Sequence, residues 1–167
     1  FDKIYSENNI YLFDDYAHHP AEIAATINAV KSRFKNRRIL VIFQPHTYSR
    51  TKFLLKEFAL SLSLADMSFV LPIFSSAREK NNQFKIDSKD IVKGKKNLFY
   101  VGSNVQLINQ LYITIKKGDV IFTMGAGDVY KLKNKLIEII NNKGKRLFLR
   151  TSEVRLTALP FSILCSI

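Results

Sequence analysis

Short apolar runs alternate along this chain with longer runs of helical period. Ile10–Phe13 has the length of a strand. Over Pro20–Phe34, the residues Ile23, Ile27, Val30 and Phe34 recur at steps of four, three and four, which predicts one face of an amphipathic helix. Pro20 suits its first turn and Glu22 its positive end. Arg38–Phe43 is apolar without alternation, as expected of a strand buried on both faces. A second helix is predicted over Thr51–Leu64, with Leu54, Leu55, Phe58 and Leu62 inward and Thr51 as its N-cap.

The same unit then repeats. Ser68–Leu71 and Asn97–Val101 read as strands, and Ser103 can cap a helix carrying Leu107, Ile108, Leu111 and Ile115. Asp119–Met124 reads as a further buried strand. It enters Gly125-Ala126-Gly127 and a helix bearing Val129, Leu132, Leu136, Ile139 and Ile140. Strands alternating with helices imply βαβ crossovers, hence an α/β domain with an open, mostly parallel sheet and helices on both faces. The domain is expected to span 1–142. Residues 143–167 follow neither period and stay open as an added edge strand, the start of another domain or a cloning remnant.

Composition narrows the class. Among 167 residues, 47% are hydrophobic and 24% charged, enough for a packed core. No apolar run is long enough to span a bilayer, and no signal-peptide order opens the chain, so no membrane association is expected. The only cysteine is Cys165, which fits a reducing compartment. The chain starts at Phe1 without an initiator Met, which suggests a piece of a longer protein. The net charge of +12 would attract anions, but the basic residues fall in scattered groups around 31–38, 93–96 and 131–135. A solvated Lys-rich surface is favoured over a nucleic-acid footprint.

Ligands of such sheets bind at the carboxyl ends of the strands, so the segments there carry the chemistry. Asp14, Asp15, Tyr16, His18 and His19 follow the first strand. Metal binding is one reading, although adjacent histidines cannot easily face one ion. A capped turn is another, and a carboxylate accepting ribose hydroxyls is a third. The next strand exits into Gln44-Pro45-His46-Thr47-Tyr48-Ser49-Arg50-Thr51, polar groups before a helix N-terminus and well placed for an anion. Arg50 could hold a carboxylate by a two-pronged hydrogen bond or pair with a surface acid. Gly125-Ala126-Gly127 lacks the third glycine of a dinucleotide fingerprint, since position 130 is Tyr130. No GxxxxGK[ST] loop is present, so any ATP phosphates must be held elsewhere.

Together these segments resemble the Mur ligase family, and within it the branch that joins L-alanine to UDP-N-acetylmuramate. Asp14 to Ile23 (DDYAHHPAEI) is similar to that branch's DDYAHHPTEI, and Gln44 to Thr51 (QPHTYSRT) to its QPHRYSRT. Ser76-Ala77-Arg78-Glu79 and Gly125-Ala126-Gly127-Asp128 match a polar loop and the last strand–helix turn, in the family's order. The resemblance implies a Rossmann-like C-terminal domain of a three-domain bacterial, cytoplasmic enzyme of peptidoglycan synthesis. Its partners would be UDP-N-acetylmuramate, L-alanine and ATP, with Mg²⁺ held mainly by a central domain and the sugar by an N-terminal one. By the same resemblance, Asp15 would contact the ATP ribose. Tyr16, His18, His46 and Arg50 would line the amino-acid pocket, and His19, Arg78, Gly125 and Gly127 are candidate cleft residues. No catalytic residue and no metal ligand is expected in this domain, and the isolated chain is expected not to turn over; the alternatives are a basic α/β nucleic-acid-binding domain and a degenerate ligase domain acting as an interaction module. The family's arginine between His46 and Tyr48 is Thr47 here. If it supplies a charge-assisted hydrogen bond, its loss would weaken binding by roughly 1.5–3 kcal/mol.

Overall fold

The computed structural model describes residues 1–75, 79 and 84–143. Six strands form one sheet: β1 (Asp2–Glu7), β2 (Ile10–Asp15), β3 (Ile39–Phe43), β4 (Met67–Val70), β5 (Leu98–Tyr100) and β6 (Val120–Met124). Their order is β1-β2-β6-β3-β4-β5. Only β1 runs antiparallel, against β2, and the other four pairings are parallel. The helices are α1 (Pro20–Arg33), α2 (Tyr48–Phe53), α3 (Leu55–Leu62), α4 (Ser88–Val92) and α5 (Asn104–Thr114). A 3-10 turn, Val129–Leu132, leads into α6 over 133–143. The sheet is the expected α/β arrangement, Rossmann-like and mostly parallel.

Alternation decides what each strand residue covers. All five residues of β3 are buried, yet Ile39, Val41 and Phe43 join one apolar cluster while Leu40 and Ile42 join the other. The first cluster packs on Ile23, Ile27 and Val30 of α1, Phe58 and Leu62 of α3 and Ile91 of α4. The second packs on Leu107 and Leu111 of α5 and on Leu136, Ile139 and Ile140 of α6. Burial on both faces explains why the central strands read as unbroken apolar runs. Because α5 lies on the face opposite α1, the chain returns from β5 to insert β6 between β2 and β3. That insertion brings the carboxyl ends of β2, β6 and β3 side by side.

The structure departs from the sequence reading in three places. β1 was not expected; it pairs through a turn at Asn8 and Asn9, both at positive φ (53° and 62°), as a two-residue hairpin turn requires. α4 is a five-residue helix closed by a capping box between Asp87 and Asp90. The single helix expected over Thr51–Leu64 is two helices meeting at Leu54, which leaves helical geometry (φ −112°, ψ 26°). Its N-cap is Thr47 and not Thr51. Thr51 is fully buried, and its hydroxyl donates to the Thr47 carbonyl at 2.8 Å. Phe58 and Leu62 are buried as expected, whereas Leu54 and Leu55 are half-buried. Residues 144–167 and Arg78 lie outside the described residues.

Candidate functional site

Three loops leave the neighbouring strands β2, β6 and β3 at one edge, and their backbones knit together. Gly125 donates to the Asp15 carbonyl (3.3 Å) and Gln44 to the Met124 carbonyl (3.0 Å). Strand alternation sends the paired acids of the first loop to opposite faces. Asp14 accepts from the Thr123 hydroxyl, beside a small cavity of about 180 Å³ lined by Tyr130 and Lys133 among others. Asp15 faces α1: Oδ1 accepts from the Ala17 N–H (3.0 Å) and Oδ2 from the Thr26 hydroxyl (2.7 Å). Each Asp15 oxygen keeps a lone pair, and the residue is half-buried.

The next residues are arranged by the start of α1. Glu22 accepts from the His18 (3.0 Å) and His19 (3.1 Å) backbone N–H groups, which holds its carboxyl below the usual range despite the opposing pull of partial desolvation. His19 is exposed and caps the helix, its Nδ1 accepting from the Ala21 N–H at 3.4 Å. The His18 Nδ1 lies 3.1 Å from the Tyr16 carbonyl, and Tyr16 packs edge-on to His18 while remaining 71% exposed. The two imidazoles therefore serve different partners.

From β3, Gln44 reaches across to the β6 loop. Its Oε1 accepts from the Asp128 (2.8 Å) and Val129 (3.0 Å) N–H groups, and its Nε2 donates to Asp128 (3.0 Å). Both loop glycines fit against it. A Cβ at Gly125, where φ is +133°, would stand 2.5 Å from the Gln44 carbonyl oxygen, and one at Gly127 would stand 2.3 Å from Gln44 Oε1. Gly125 thus packs against the Gln44 backbone and Gly127 against the Gln44 side chain.

The anion-ready start of α2 already holds an anion. Glu79 accepts from the Tyr48 N–H (2.6 Å), the Ser49 N–H (3.2 Å) and the Ser49 hydroxyl. Burial works against its charge, but the Ser49 hydroxyl, with the two N–H groups, holds the carboxyl below its ordinary range. His46 stacks on Phe74 (centroids 5.8 Å) and is half-buried. Burial lowers its pKa, and the charges of Arg50 and His18 lower it further, against Glu79. His46 of the second loop thus lies within electrostatic reach of both Arg50 and His18 of the first loop. Arg50 Nη1 is buried and has no hydrogen-bond partner among the described residues. Glu79 and Gln44 lie within quoted motifs, yet their roles rest on contacts to residues 30 to 85 positions away, which a local pattern does not contain.

Thr47 has φ +69° and ψ 139°, a conformation costly for a β-branched residue. It caps α2 through its hydroxyl, which accepts from the Arg50 N–H at 3.4 Å. Strain of this kind is worth about 1–3 kcal/mol, whereas a Thr cap exceeds a Gly cap by only about a few tenths. Even after roughly 0.5–1 kcal/mol for glycine's greater unfolded-state freedom, Thr47→Gly is expected to leave the urea midpoint unchanged or raised. Thr47→Ala, which keeps the strain and loses the cap, is expected to lower stability by about 1 kcal/mol. Equal losses in both variants would show that the turn is unstrained.

A second concavity, about 480 Å³, lies at the opposite end of the sheet among Lys35, Arg37, Arg38, Lys116, Lys117 and Asp119. Its arginines are committed to the fold. Arg38 binds Asp119 in a two-pronged pair (3.0 and 2.7 Å), and Arg37 binds Asn9. Among the described residues no helix is long and apolar enough to cross a membrane.

The profile of the Mur ligase, glutamate ligase domain matches residues 1–127. The UDP-N-acetylmuramate–L-alanine ligase of Caldicellulosiruptor bescii is 43% identical over 146 residues, covering 85% of this chain and 30% of that protein. That of Desulforapulum autotrophicum is 39% identical over 141 residues, covering 80% and 30%. The chain thus spans under a third of the length of these relatives. Among solved structures, the UDP-N-acetylmuramate–alanine ligase of Thermotoga maritima superposes with a TM-score of 0.62 at 28% identity, over 85% of this chain and 30% of that one. A single domain from a Haemophilus ducreyi protein, described as a putative ligase of UDP-N-acetylmuramate and a peptide, gives 0.62 at 25% identity over 82% and 96%. With its sheet order, its loop motifs and a profile match over three quarters of its length, the chain belongs to the Mur ligase family.

Proposed function

We propose that this chain is the C-terminal wall of the substrate cleft in an ATP-dependent, cytoplasmic bacterial ligase that adds L-alanine to UDP-N-acetylmuramate during peptidoglycan synthesis. The observation that carries the reading is the buried Nη1 of Arg50, without a hydrogen-bond partner among the described residues, on a guanidinium whose charge, like that of His18, reaches His46. A buried guanidinium donor without an acceptor is costly, and a substrate carboxylate would satisfy it with the two-pronged geometry arginine favours. L-Alanine has one such group. The relatives that match at about 40% identity bear the name of an L-alanine ligase, which supports the choice of amino acid.

Asp15 fits the ATP ribose, because a half-buried carboxylate with a free lone pair on each oxygen can accept from sugar hydroxyls. The chain holds no phosphate loop, so the phosphates and Mg²⁺ belong to a central domain of the same polypeptide. There the phosphoryl group would pass from ATP to the muramyl carboxylate, and the L-alanine amine would displace phosphate from the acyl phosphate. The residues of this domain contribute by positioning, which can supply a large part of such a rate. Tyr16, exposed against His18, completes the amino-acid side of the cleft, and Gly125 and Gly127 shape its floor through Gln44. His19 is primarily a helix cap.

The test is ADP release. The full-length polypeptide is expected to release ADP only when UDP-N-acetylmuramate and L-alanine are both present, and the isolated 167-residue chain to release none. ADP release independent of L-alanine, or turnover by the isolated chain, would count against the proposal.

A further inference from the structure

Glu79 has no part in the reading above, yet three of its contacts converge on the helix that carries Arg50. Its carboxylate accepts from the backbone N–H groups of Tyr48 and Ser49 and from the Ser49 hydroxyl, 30 and 31 positions away. These donors are the first two residues of α2, whose own side-chain cap from Thr47 is a long 3.4 Å contact. The residue before them, Thr47, is held at φ +69°. Its N–H donates to the Phe74 carbonyl (3.0 Å) and its carbonyl accepts from Thr51, so the turn is fixed from behind as well. A strained turn persists only where its surroundings over-determine it. Glu79 supplies the contacts on the side of α2, and among the described residues it makes no ion pair with Arg50.

We infer that Glu79 is a positioning residue for amino-acid recognition: it clamps the first turn of α2 so that the Arg50 guanidinium and the adjoining His46 stand ready for a substrate carboxylate. The inference rests on the proposed ligase reading, since Arg50 needs a carboxylate to receive. It assigns Glu79 no contact with the reacting atoms. A carboxylate suits the task because one group can accept several donors at once, and because the α2 N-terminus favours negative charge. Glutamine offers a single accepting oxygen of the same reach. Aspartate keeps both oxygens but is one methylene short.

The experiment is steady-state kinetics on the full-length polypeptide, with each of the three substrates varied in turn. Glu79→Ala is expected to raise KM for L-alanine by roughly ten- to a hundredfold, the scale of one or two lost charge-assisted hydrogen bonds. KM for ATP and for UDP-N-acetylmuramate should stay within about twofold, since those contacts lie elsewhere. Glu79→Gln should fall between Glu79→Ala and the wild type, and it carries the test if the alanine variant fails to fold. A purely structural role would instead lower kcat, or raise all three KM values together, in step with a lower melting temperature. That pattern, or an unchanged KM for L-alanine in an active variant, overturns the inference and leaves the ligase reading standing. A wild-type protein without L-alanine-dependent turnover overturns both.

Discussion

Arg50→Met is expected to raise KM for L-alanine by about one and a half to three and a half orders of magnitude while leaving the unliganded protein as stable as before, or more so. Truncating one partner of a desolvated charge pair costs about 2–5 kcal/mol, and about 1.4 kcal/mol is a factor of ten. The stability half of the expectation follows from the buried Nη1 that finds no acceptor among the described residues. An unsatisfied buried donor costs roughly 1–3 kcal/mol, and methionine removes it while filling much of the space. Against this stands the loss of a cation in the last turn of α2, worth about 0.3–1 kcal/mol. The balance favours the variant. Urea unfolding and steady-state kinetics on the same protein separate the two effects. An Arg50 that serves the fold would show the reverse pattern, a lower urea midpoint with KM unmoved. Arg50→Lys should rescue little, because an ammonium cannot reproduce a planar two-pronged contact.

The central fold was legible because its strands are buried on both faces. RILVIF and DVIFTM announce themselves as apolar runs, and Pro20, Glu22 and Ser103 mark helix starts where the structure has them. What escaped was marginal in burial or length. β1 has only Ile4 and Tyr5 half-buried, so its apolar signal is weak, although Asn8-Asn9 is a turn signal that could have found it. α4 has five residues and one fully buried apolar side chain, Ile91. The break at Leu54 lies within a continuous helical period, and a period does not report a single residue leaving the helix.

The site divides in the same way. His46 and Arg50 were singled out from their motif, and in the structure the charges of Arg50 and His18 both act on His46. Thr47 was legible only as a missing arginine, and its strained capping geometry could not be inferred from residue type. Glu79 and Gln44 act across 30 to 85 residues, and only the sheet order brings their partners near. The nine positions from Asp14 to Glu22 conceal a further division. A two-residue period places Asp14 and Asp15 on opposite faces of β2, so the paired acids of one motif serve different halves of the domain.

Gly125→Ala is expected to cost about 2–5 kcal/mol, among the largest single-residue losses in the domain: about 1–2 for a side chain at positive φ and about 1–3 for overpacking. Gly127→Ala should also destabilise, but for a different reason that a second substitution can expose. At Gly125 the added Cβ meets backbone, the Gln44 carbonyl at 2.5 Å, and φ is +133°. At Gly127 it meets a side chain, Gln44 Oε1 at 2.3 Å, which must leave the Asp128 and Val129 N–H groups to make room. In a Gln44→Ala background the Gly127→Ala loss should therefore shrink by about 1 kcal/mol or more, whereas the Gly125→Ala loss should persist in full. Urea midpoints of the two double-mutant cycles check this. Equal coupling in both cycles would refute the distinction. Its expected form would show that this glycine pair, which in sequence resembles a nucleotide loop, is set first by contact with the strand end that carries the proposed amino-acid pocket.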